Sequence, residues 1–244
     1  MAFKLSYKPF GEYAILIEWP AVIQDDILFD ILHFKDLIKK SDSLPITEVR
    51  SAYNSLLVIY NEALTAFDEE IKILKSIYKT GNSAKNSIES RLWNIPVCYD
   101  APFALDLEEM SQSKNISQSE IIKRHSDVLY TVCFIGFLPG FLYLSGLNET
   151  LFTPRKATPR LKVEKGAIAI GGNQTGVYPI ESPGGWHIIG NSPIQFFNPV
   201  DNSPCFAKAG DQVKFYPVDI KTYNRIKDLI ESNKYTIESE VIHG

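Results

Sequence analysis

Residues 171–190 of this 244-residue chain read GGNQTGVYPIESPGGWHIIG, a stretch rich in glycine. It holds six of the chain's 14 glycines and two of its 14 prolines. Short apolar runs that suit β-strands lie at 167–170 and 187–190, and glycines mark the corners and bulges between such strands. The stretch therefore predicts the tight turns of a closed or half-closed β-barrel.

The sequence around this stretch has the same character. Further short apolar runs, separated by Gly, Pro, Asn and Ser, predict other barrel strands at 130–138, 194–197 and 212–218. Two short helices are predicted before them, one at 105–114 and one that begins with a capping box at Ser117. A terminal helix is predicted at 221–233.

The N-terminal part of the sequence predicts a domain of a different type, with both helices and strands. Its elements follow the order strand, helix, strand, strand, helix, strand, and they are 12–19, 24–40, 47–53, 56–61, 65–81 and 94–100. This order is the ferredoxin-like split pattern. Residues 82–90 are polar and resemble a linker, so the last strand suits either domain. We predict an α+β protein with a ferredoxin-like domain at 1–90 and a β-barrel domain at 91–244.

Composition limits the class of protein. Hydrophobic residues make up 45% and charged residues 22%, and the net charge is −4, so the chain can bury a core and has no basic excess for nucleic acid. The three cysteines, which are far apart, fit neither a disulfide framework nor a zinc site. We therefore expect reduced thiols and a cytoplasmic protein. No run approaches the length of a membrane span, so no membrane partner is expected.

The stretch TPRKATPR (153–160) is the first candidate for chemistry. Each proline fixes φ and favours an extended conformation of the threonine before it, so Arg155 and Arg160 are held on a stiff strap. Five basic residues and one acidic residue lie in 153–165. Arg155 and Arg160, rather than the lysines, are the predicted catalytic cations for a carboxylate or phosphate. A solvated basic loop or intramolecular salt bridges are the alternative.

The glycine-rich stretch itself is the second candidate. Glycines in the left-handed region can turn backbone N–H groups toward an anion or a developing oxyanion. We therefore predict substrate-binding residues at Gly171, Gly172, Gln174, Tyr178, Gly184 and Gly185. His187 adds a titratable imidazole and is the third predicted catalytic residue. The alternative is that the glycines only form barrel corners.

The apolar loop FIGFLPGFLYLSGL (134–147) matches neither helical nor strand periodicity. Such a loop either covers the core or forms a surface for a partner. The predicted partner surface consists of Phe137, Pro139, Phe141 and Tyr143. The sequence has no phosphate-binding G-x-x-x-x-G-K-[ST] loop and no spacing typical of a metal ligand set. His125 is interpreted as a packed histidine in a helix.

Four segments together resemble one family. GFLPGFLYL (136–144), the strap 153–160, residues 171–193 and AGDQVKFYP (209–217) are similar to the allophanate hydrolase subunit 1 family. This family is also called the kinase A inhibitor family or the family of the 5-oxoprolinase B subunit. The chain departs from it at Glu12, where Asp is expected after glycine, and at His187, where many members carry Gln. A residue that varies in this way is not an obligatory proton carrier.

The resemblance implies that the barrel is cyclophilin-like and that the chain works with other proteins. These are a cyclophilin-fold protein of the subunit-2-like or subunit-C-like type and a third, subunit-A-like component of 5-oxoprolinase. The implied complex is an ATP-dependent hydrolase that opens 5-oxoproline to L-glutamate. ATP is then bound by partner subunits or shared with them, and we expect the isolated chain to be inactive.

Three other functions remain open at this point. The first is regulation, in which the apolar loop binds and inhibits a sensor histidine kinase. The second is the carboxyltransferase part of a urea carboxylase system, although this chain has no biotin-carrier segment. The third, prolyl isomerisation, rests on fold analogy alone.

Overall fold

The computed structural model describes residues 3–41, 44–81 and 89–242. These residues form two compact units, one that ends at residue 81 and one that begins at residue 89. Most of the predicted linker, 82–88, lies outside the described residues. No described helix is long and apolar enough to cross a membrane.

The N-terminal unit is a four-stranded antiparallel sheet with two helices. Its elements are β1 (Ser6–Pro9), β2 (Ala14–Glu18), α1 (Asp25–Lys39), β3 (Ile46–Ser51), β4 (Ser55–Tyr60) and α2 (Phe67–Gly81). The strand order is β1-β2-β4-β3. The helical stripe of α1 packs on this sheet, and its fully buried members are Ile27, Leu28, Ile31, Phe34 and Ile38. The five elements predicted between residues 12 and 81 are thus confirmed.

The ferredoxin-like pattern itself is not confirmed, because its last strand belongs elsewhere. The strand predicted at 94–100 is β5 (Ser90–Cys98), which pairs with strands of the C-terminal unit. In the N-terminal sheet the place beside β2 is taken by β1, which the sequence analysis missed. A short hairpin closes with little loss of chain entropy, and the mostly exposed β1 suits a sheet edge.

The C-terminal unit is a closed barrel of seven strands. Its strands are β5, β6 (Leu129–Ile135), β7 (Leu142–Ser145), β9 (Ala167–Gly171), β10 (Gln174–Val177), β12 (His187–Asn191) and β13 (Gln212–Val218). The strand order is β12-β9-β10-β7-β6-β13-β5, and a bridge between Asn191 and Cys98 closes the ring. The predicted barrel is therefore confirmed.

The remaining elements lie around this barrel. They are α3 (Leu107–Lys114), α4 (Gln118–Ser126), a 3-10 turn (Glu149–Leu151), β8 (Arg160–Val163), β11 (Ser182–Gly184), α5 (Ile220–Glu231) and β14 (Ser239–Ile242). β8 and β11 form a separate two-stranded ladder, which the sequence analysis missed. The strand predicted at 194–197 is wrong: the segment is irregular, although its apolar residues Ile194 and Phe196 are buried.

Strand β9 lies between two clusters of buried side chains, one inside the barrel and one outside it. Its sequence AIAIG is buried throughout. Ile168 and Ile170 point to the barrel interior, whereas Ala167 and Ala169 point to an outer cluster that contains Trp186. Because successive side chains of a strand alternate between its faces, large residues fill the barrel and small ones leave room for the indole outside.

Asp211, in the segment 209–217, holds the barrel together. Its carboxylate is 1% exposed and accepts hydrogen bonds from the backbone N–H of Arg91 at 3.0 Å and of Lys208 at 2.9 Å, and from the indole N–H of Trp93 at 2.9 Å. These bonds join β5 to the start of β13. This acidic residue therefore has a structural role.

Candidate functional site

A buried carboxylate is the centre of the candidate site. Asp106 occupies the N-cap position of α3, makes no side-chain capping bond there, and is 1% exposed. Its Oδ1 accepts hydrogen bonds from Arg160 Nη2 at 2.5 Å and from Lys156 Nζ at 3.0 Å. Its Oδ2 accepts the backbone N–H of Ile188 at 2.6 Å. Asp106 thus ties together the helix α3, the strap 153–160 and strand β12.

The cations around Asp106 control its charge. Burial alone raises the pKa of the Asp106 carboxyl, because a low-dielectric site disfavours the anion. Hydrogen bonds from Arg160, the Ile188 amide and Lys156 outweigh this effect, and the pKa lies below its usual value. Asp106 is therefore ionised at neutral pH.

Lys156 lies between two carboxylates. Its ammonium is 3.0 Å from Asp106 and 2.7 Å from Glu109 of α3, and its side chain is 18% exposed. Burial lowers the pKa of Lys156, but the two carboxylates outweigh burial and raise it. Lys156, which was not among the predicted catalytic residues, thus contacts the same carboxylate as Arg160.

The strap itself has the conformation that the prolines predict. Its residues between Thr153 and Pro159 form no helix, and two backbone contacts hold it. Thr153 exchanges hydrogen bonds with Gly172, at 2.9 and 2.7 Å, and the Lys156 N–H donates to the Gly185 carbonyl at 2.7 Å. The strap therefore crosses the glycine-rich stretch at two points.

The two predicted arginines have different surroundings. Arg160 is bound to Asp106, and its Nη1 is buried without a hydrogen-bond partner among the described residues. Arg155 is exposed, and its guanidinium lies 5.9 Å from the centre of the Trp186 ring. The alternative of intramolecular salt bridges therefore holds for Arg160 and Lys156. Arg155 stays available for a ligand or a partner.

Asp106, Lys156 and Arg160 form a charged cluster, and His187 lies at its edge. It is 7% exposed, and its Nε2 is 3.0 Å from the Pro154 carbonyl oxygen. Its Nδ1 is buried and has no hydrogen-bond partner among the described residues. A ring nitrogen of His187 and carboxylate oxygens of Asp106 and Glu109 all lie within 4.8 Å of one another.

These three side chains have the donor types of a metal site. The sequence shows no spacing typical of a metal ligand set, and no metal ligand was predicted. The Lys156 ammonium, however, already contacts both carboxylates. A metal ion there would meet the positive charges of Lys156 and Arg160. The donor set therefore does not suit a metal ion.

The glycines act mainly by making room for aromatic rings. A Cβ on Gly171 would lie 2.5 Å from the Trp186 ring, and a Cβ on Gly184 would overlap the Tyr178 hydroxyl group. Of the four glycines predicted to bind an anion, Gly172 alone has a positive φ, 66°. Its N–H donates to the Thr153 carbonyl. Three of the four therefore lack the left-handed conformation on which the predicted nest rests, and anion binding at these glycines stays a prediction.

The other predicted binding residues lie next to the cluster or away from it. Tyr178 is 2% exposed and packs against Phe141 and Trp186 in the outer aromatic cluster. Burial raises the pKa of Tyr178, although the backbone N–H of Trp186 donates to its oxygen. Gln174 begins β10 opposite Gly171. The structure gives Gln174 no hydrogen bond to the described residues of the charged cluster.

The apolar loop divides into a buried and an exposed part. Phe137 is 64% exposed with a φ of 67°, and Pro139 is exposed as well. Phe141 is 1% exposed in the outer aromatic cluster, so its assignment to a partner surface is wrong. Tyr143 is half-buried and stacks on Phe134 with ring centres 4.3 Å apart.

Comparison with known proteins identifies the family. The chain matches the family model described as carboxyltransferase domain, subdomain C and D, over residues 5–207. The chain therefore belongs to this carboxyltransferase-domain family. It is 33% identical over 247 residues to the B subunit of 5-oxoprolinase from Bacillus subtilis (strain 168), and this match covers 96% of the chain and 100% of that protein. The corresponding protein of Escherichia coli O157:H7 is 45% identical over 129 residues, or 53% of this chain and 59% of that protein.

Longer proteins contain a similar region. The urea amidolyase of Lachancea kluyveri is 23% identical over 275 residues, which cover 97% of this chain and 14% of that protein. A crystal structure of TTHA0988 has a TM-score of 0.73 at 27% identity over 84% of this chain and 40% of that chain. The K. lactis urea amidolyase structure has a TM-score of 0.84 at 18% identity, over 100% of this chain and 16% of that one, and shows the fold alone.

Proposed function

We propose that this chain is the B subunit of an ATP-dependent 5-oxoprolinase, a hydrolase complex that opens 5-oxoproline to L-glutamate. The full-length similarity to a protein named as this subunit of 5-oxoprolinase supports the proposal. The structural observation that carries it is the group formed by the buried Asp106 with the partly buried Lys156 and Arg160, in which one guanidinium nitrogen lacks a partner among the described residues. A cytoplasmic location and the absence of nucleic-acid and membrane partners stay predictions from composition.

The charged cluster suits the chemistry of lactam opening. A five-membered lactam is a stable amide with a poor leaving group, and phosphorylation of its carbonyl oxygen by ATP activates it. Negative charge then develops on oxygens near the reacting carbon, and fixed cations stabilise it in a site that excludes water. Lys156 and Arg160 supply such cations. Asp106 positions both and is itself too enclosed to act as a nucleophile.

ATP in this proposal is bound by partner subunits or shared with them. The chain has no glycine-rich phosphate loop, and the described amide of Gly172 is already used by Thr153. In TTHA0988 the region similar to this chain makes up 40% of the chain. The rest of that polypeptide is therefore longer than the similar region. We propose that a subunit-C-like and a subunit-A-like protein provide the remaining parts here.

The proposed surface for such a partner is the exposed part of the apolar loop. Phe137 projects a large apolar ring to solvent from a backbone conformation that L-residues rarely adopt. The residue packs edge-on against the buried Phe141, with ring centres 5.7 Å apart, so its position is fixed by the core. Binding of a histidine kinase at this loop rests on the family resemblance alone.

A second candidate function is the carboxyltransferase part of a urea-degrading system. The match of nearly the whole chain to part of urea amidolyase favours it. That relative is a much longer protein at lower identity, whereas the Bacillus subtilis relative is covered from end to end. The higher identity to the Bacillus subtilis relative, and the full coverage of that relative, favour the lactam-opening function.

The test is 5-oxoproline-dependent ATP hydrolysis by the chain alone and by the chain assembled with subunit-A-like and subunit-C-like proteins from the same genome. We expect activity in the assembled complex and none in the chain alone. In the complex, Lys156→Met removes a fixed cation and should lower kcat/KM at least about tenfold. Lys162→Met is the control, because Lys162 forms an exposed pair with Glu181. An assembled complex that hydrolyses no ATP with 5-oxoproline would rule out this function.

A further inference from the structure

Lys156 has one fixed partner and one exchangeable partner. Its ammonium lies 3.0 Å from Asp106 and 2.7 Å from Glu109. Asp106 is 1% exposed and is also bound by Arg160 and by the N–H of Ile188, so its carboxylate is fixed. The Glu109 side chain is 60% exposed. Glu109 can therefore move into solvent and still leave every buried charge of the cluster paired.

Glu109 gains little by holding Lys156. Its exposed carboxylate is well hydrated, and the pair restricts two long side chains, so the two effects largely cancel the attraction. The structure gives Glu109 no other hydrogen bond or ion pair within the described part of the chain. An anion on a ligand therefore competes with Glu109 for the ammonium on nearly equal terms.

The charge balance of the group shows what such an exchange changes. Asp106 and Glu109 carry two negative charges, and Lys156 and Arg160 carry two positive charges, so the group is neutral as it stands. A neutral group does little to stabilise negative charge on a substrate. Once Glu109 has left, one net positive charge remains, and the ammonium has an N–H free for a new acceptor.

The position of the Glu109 carboxylate is open to solvent on one side and lined by polar groups on the other. A ring nitrogen of His187 lies within 4.8 Å of carboxylate oxygens of both Glu109 and Asp106. His187 is 7% exposed, and its Nδ1 has no hydrogen-bond partner among the residues that the structure describes. The Lys156 ammonium and this ring therefore flank a position that a ligand reaches from solvent.

Resting on the proposed function, we propose that Glu109 occupies the binding position of a ligand oxyanion on Lys156 and is displaced when that anion binds. The ligand group is a carboxylate or a phosphoryl group, since both present oxygens to an ammonium as Glu109 does. In the 5-oxoprolinase reaction the first is the carboxylate of the substrate, and the second is a phosphoryl group from ATP. Glu109 is in this proposal a competitor of the ligand and not a catalytic residue.

The test on the full chain is a titration with acetate and with inorganic phosphate at constant ionic strength. Backbone amide shifts of the isotope-labelled chain, measured by NMR, give a dissociation constant for each anion. Glu109→Gln keeps the size of the side chain and removes its charge. Because the exposed pair in the wild type is formed for part of the time, we expect Glu109→Gln to bind at least one anion about two- to sixfold more tightly.

Glu108→Gln is the matched control. Glu108 lies in the same first turn of α3, and its carboxylate binds Gln112 rather than Lys156. The control removes the same charge from nearly the same place, so it should change anion binding much less. Glu109→Ala leaves no competing side chain and should bind at least as tightly as Glu109→Gln. Adding Lys156→Met to Glu109→Gln should abolish the gain.

Kinetics of the assembled complex show which group Glu109 replaces. If it is the substrate carboxylate, Glu109→Gln should lower KM for 5-oxoproline about two- to sixfold and leave kcat nearly unchanged, because the saturated wild type has already displaced Glu109. Binding of 2-pyrrolidone, which lacks the carboxylate, should then show no gain. If it is a phosphoryl group, KM for ATP should fall instead.

The outcomes separate this inference from the proposed function. If the chain binds neither anion, or if Glu109→Gln binds no more tightly than Glu108→Gln, the inference is overturned and the function is untouched. An active complex in which neither Michaelis constant falls also overturns the inference. If the titration shows the gain but the assembled complex does not use 5-oxoproline, the function fails and the anion site stands.

Discussion

His125 and His187 are both more than nine-tenths buried in the barrel unit, but their rings have different surroundings. His125 uses both nitrogens, with Tyr99 Oη at 2.8 Å from Nδ1 and Thr175 Oγ1 at 3.0 Å from Nε2, and its ring stacks on Phe215. His187 uses Nε2 and leaves Nδ1 without a partner among the described residues. The ring of His125 is therefore held by hydrogen bonds at both nitrogens, whereas that of His187 is held at one.

Asp211 and Asp106 show the same contrast between two carboxylates that are each 1% exposed. Asp211 accepts hydrogen bonds from neutral donors only, two backbone amides and an indole. Asp106 is surrounded by cations whose remaining donors are not all used within the described part of the chain. Two carboxylates with the same burial therefore differ in the charge of their partners and in how many of the partners' donors are used.

The largest expected effect concerns the acid stability that His125 controls. Burial lowers the pKa of His125 to about 3, whereas an unfolded chain has a value near 6.5. The contribution to stability is complete above pH 6.5 and is lost as the pH falls toward 3. Between pH 7 and pH 4.5 this loss is about 3 kcal/mol in the free energy of unfolding.

Urea unfolding of the wild type and His125→Gln over this pH range measures the effect. The variant should be less stable at pH 7, and its stability should fall less steeply on acidification. Carboxyl groups contribute to both proteins alike, so the difference between the curves isolates the histidine. Parallel curves would contradict the assignment of His125 as a neutral, saturated ring.

A comparably large effect is expected at Asp211. Asp211→Ala leaves the N–H groups of Arg91, Trp93 and Lys208 without their acceptor, and we expect about 3 kcal/mol of destabilisation. The exposed Asp201→Ala is the matched control and should stay within about 0.5 kcal/mol. Urea denaturation at pH 7 measures both. Equal stability of the two variants would contradict the structural role of Asp211.

Arg160→Lys tests the functional side of the comparison. The lysine keeps a positive charge beside Asp106 but lacks the guanidinium nitrogen Nη1, which has no partner among the described residues. We expect kcat/KM for 5-oxoproline to fall roughly a hundredfold in the assembled complex. Arg124→Lys is the control, because Arg124 pairs with Glu120 on α4. Activity near that of the control would exclude Arg160 from the site.

Arg155→Ala has the smallest expected effect. Its guanidinium is exposed and lies over the Trp186 ring, a contact with a value of about 0.5–1 kcal/mol. We expect activity to decrease about fivefold or less, and the free energy of unfolding to fall by about 1 kcal/mol or less. A loss as large as that of Arg160→Lys would show that both arginines of the strap act on the substrate.

Local elements of this fold were predictable from the sequence because their signals are local. The helical stripe of α1 and the alternation in β9 come from the repeat of the backbone itself. The prolines of the strap also fix their own conformation, and Ser117 caps α4 as its capping box predicts. The segments not predicted correctly include the short strand β1, the ladder of β8 and β11, and the irregular but apolar segment 194–197.

The sequence by itself therefore determined the α+β class, the barrel, most elements and the family to which the chain belongs. The tertiary structure alone decided that β5 joins the barrel, that glycines give space to Trp186 and Tyr178, and which side chains meet at Asp106. Residues 106, 156 and 187 are far apart along the chain and have no common local pattern. Closing the barrel brings them together, because hydrogen bonds between distant segments, rather than local periodicity, place these charges side by side.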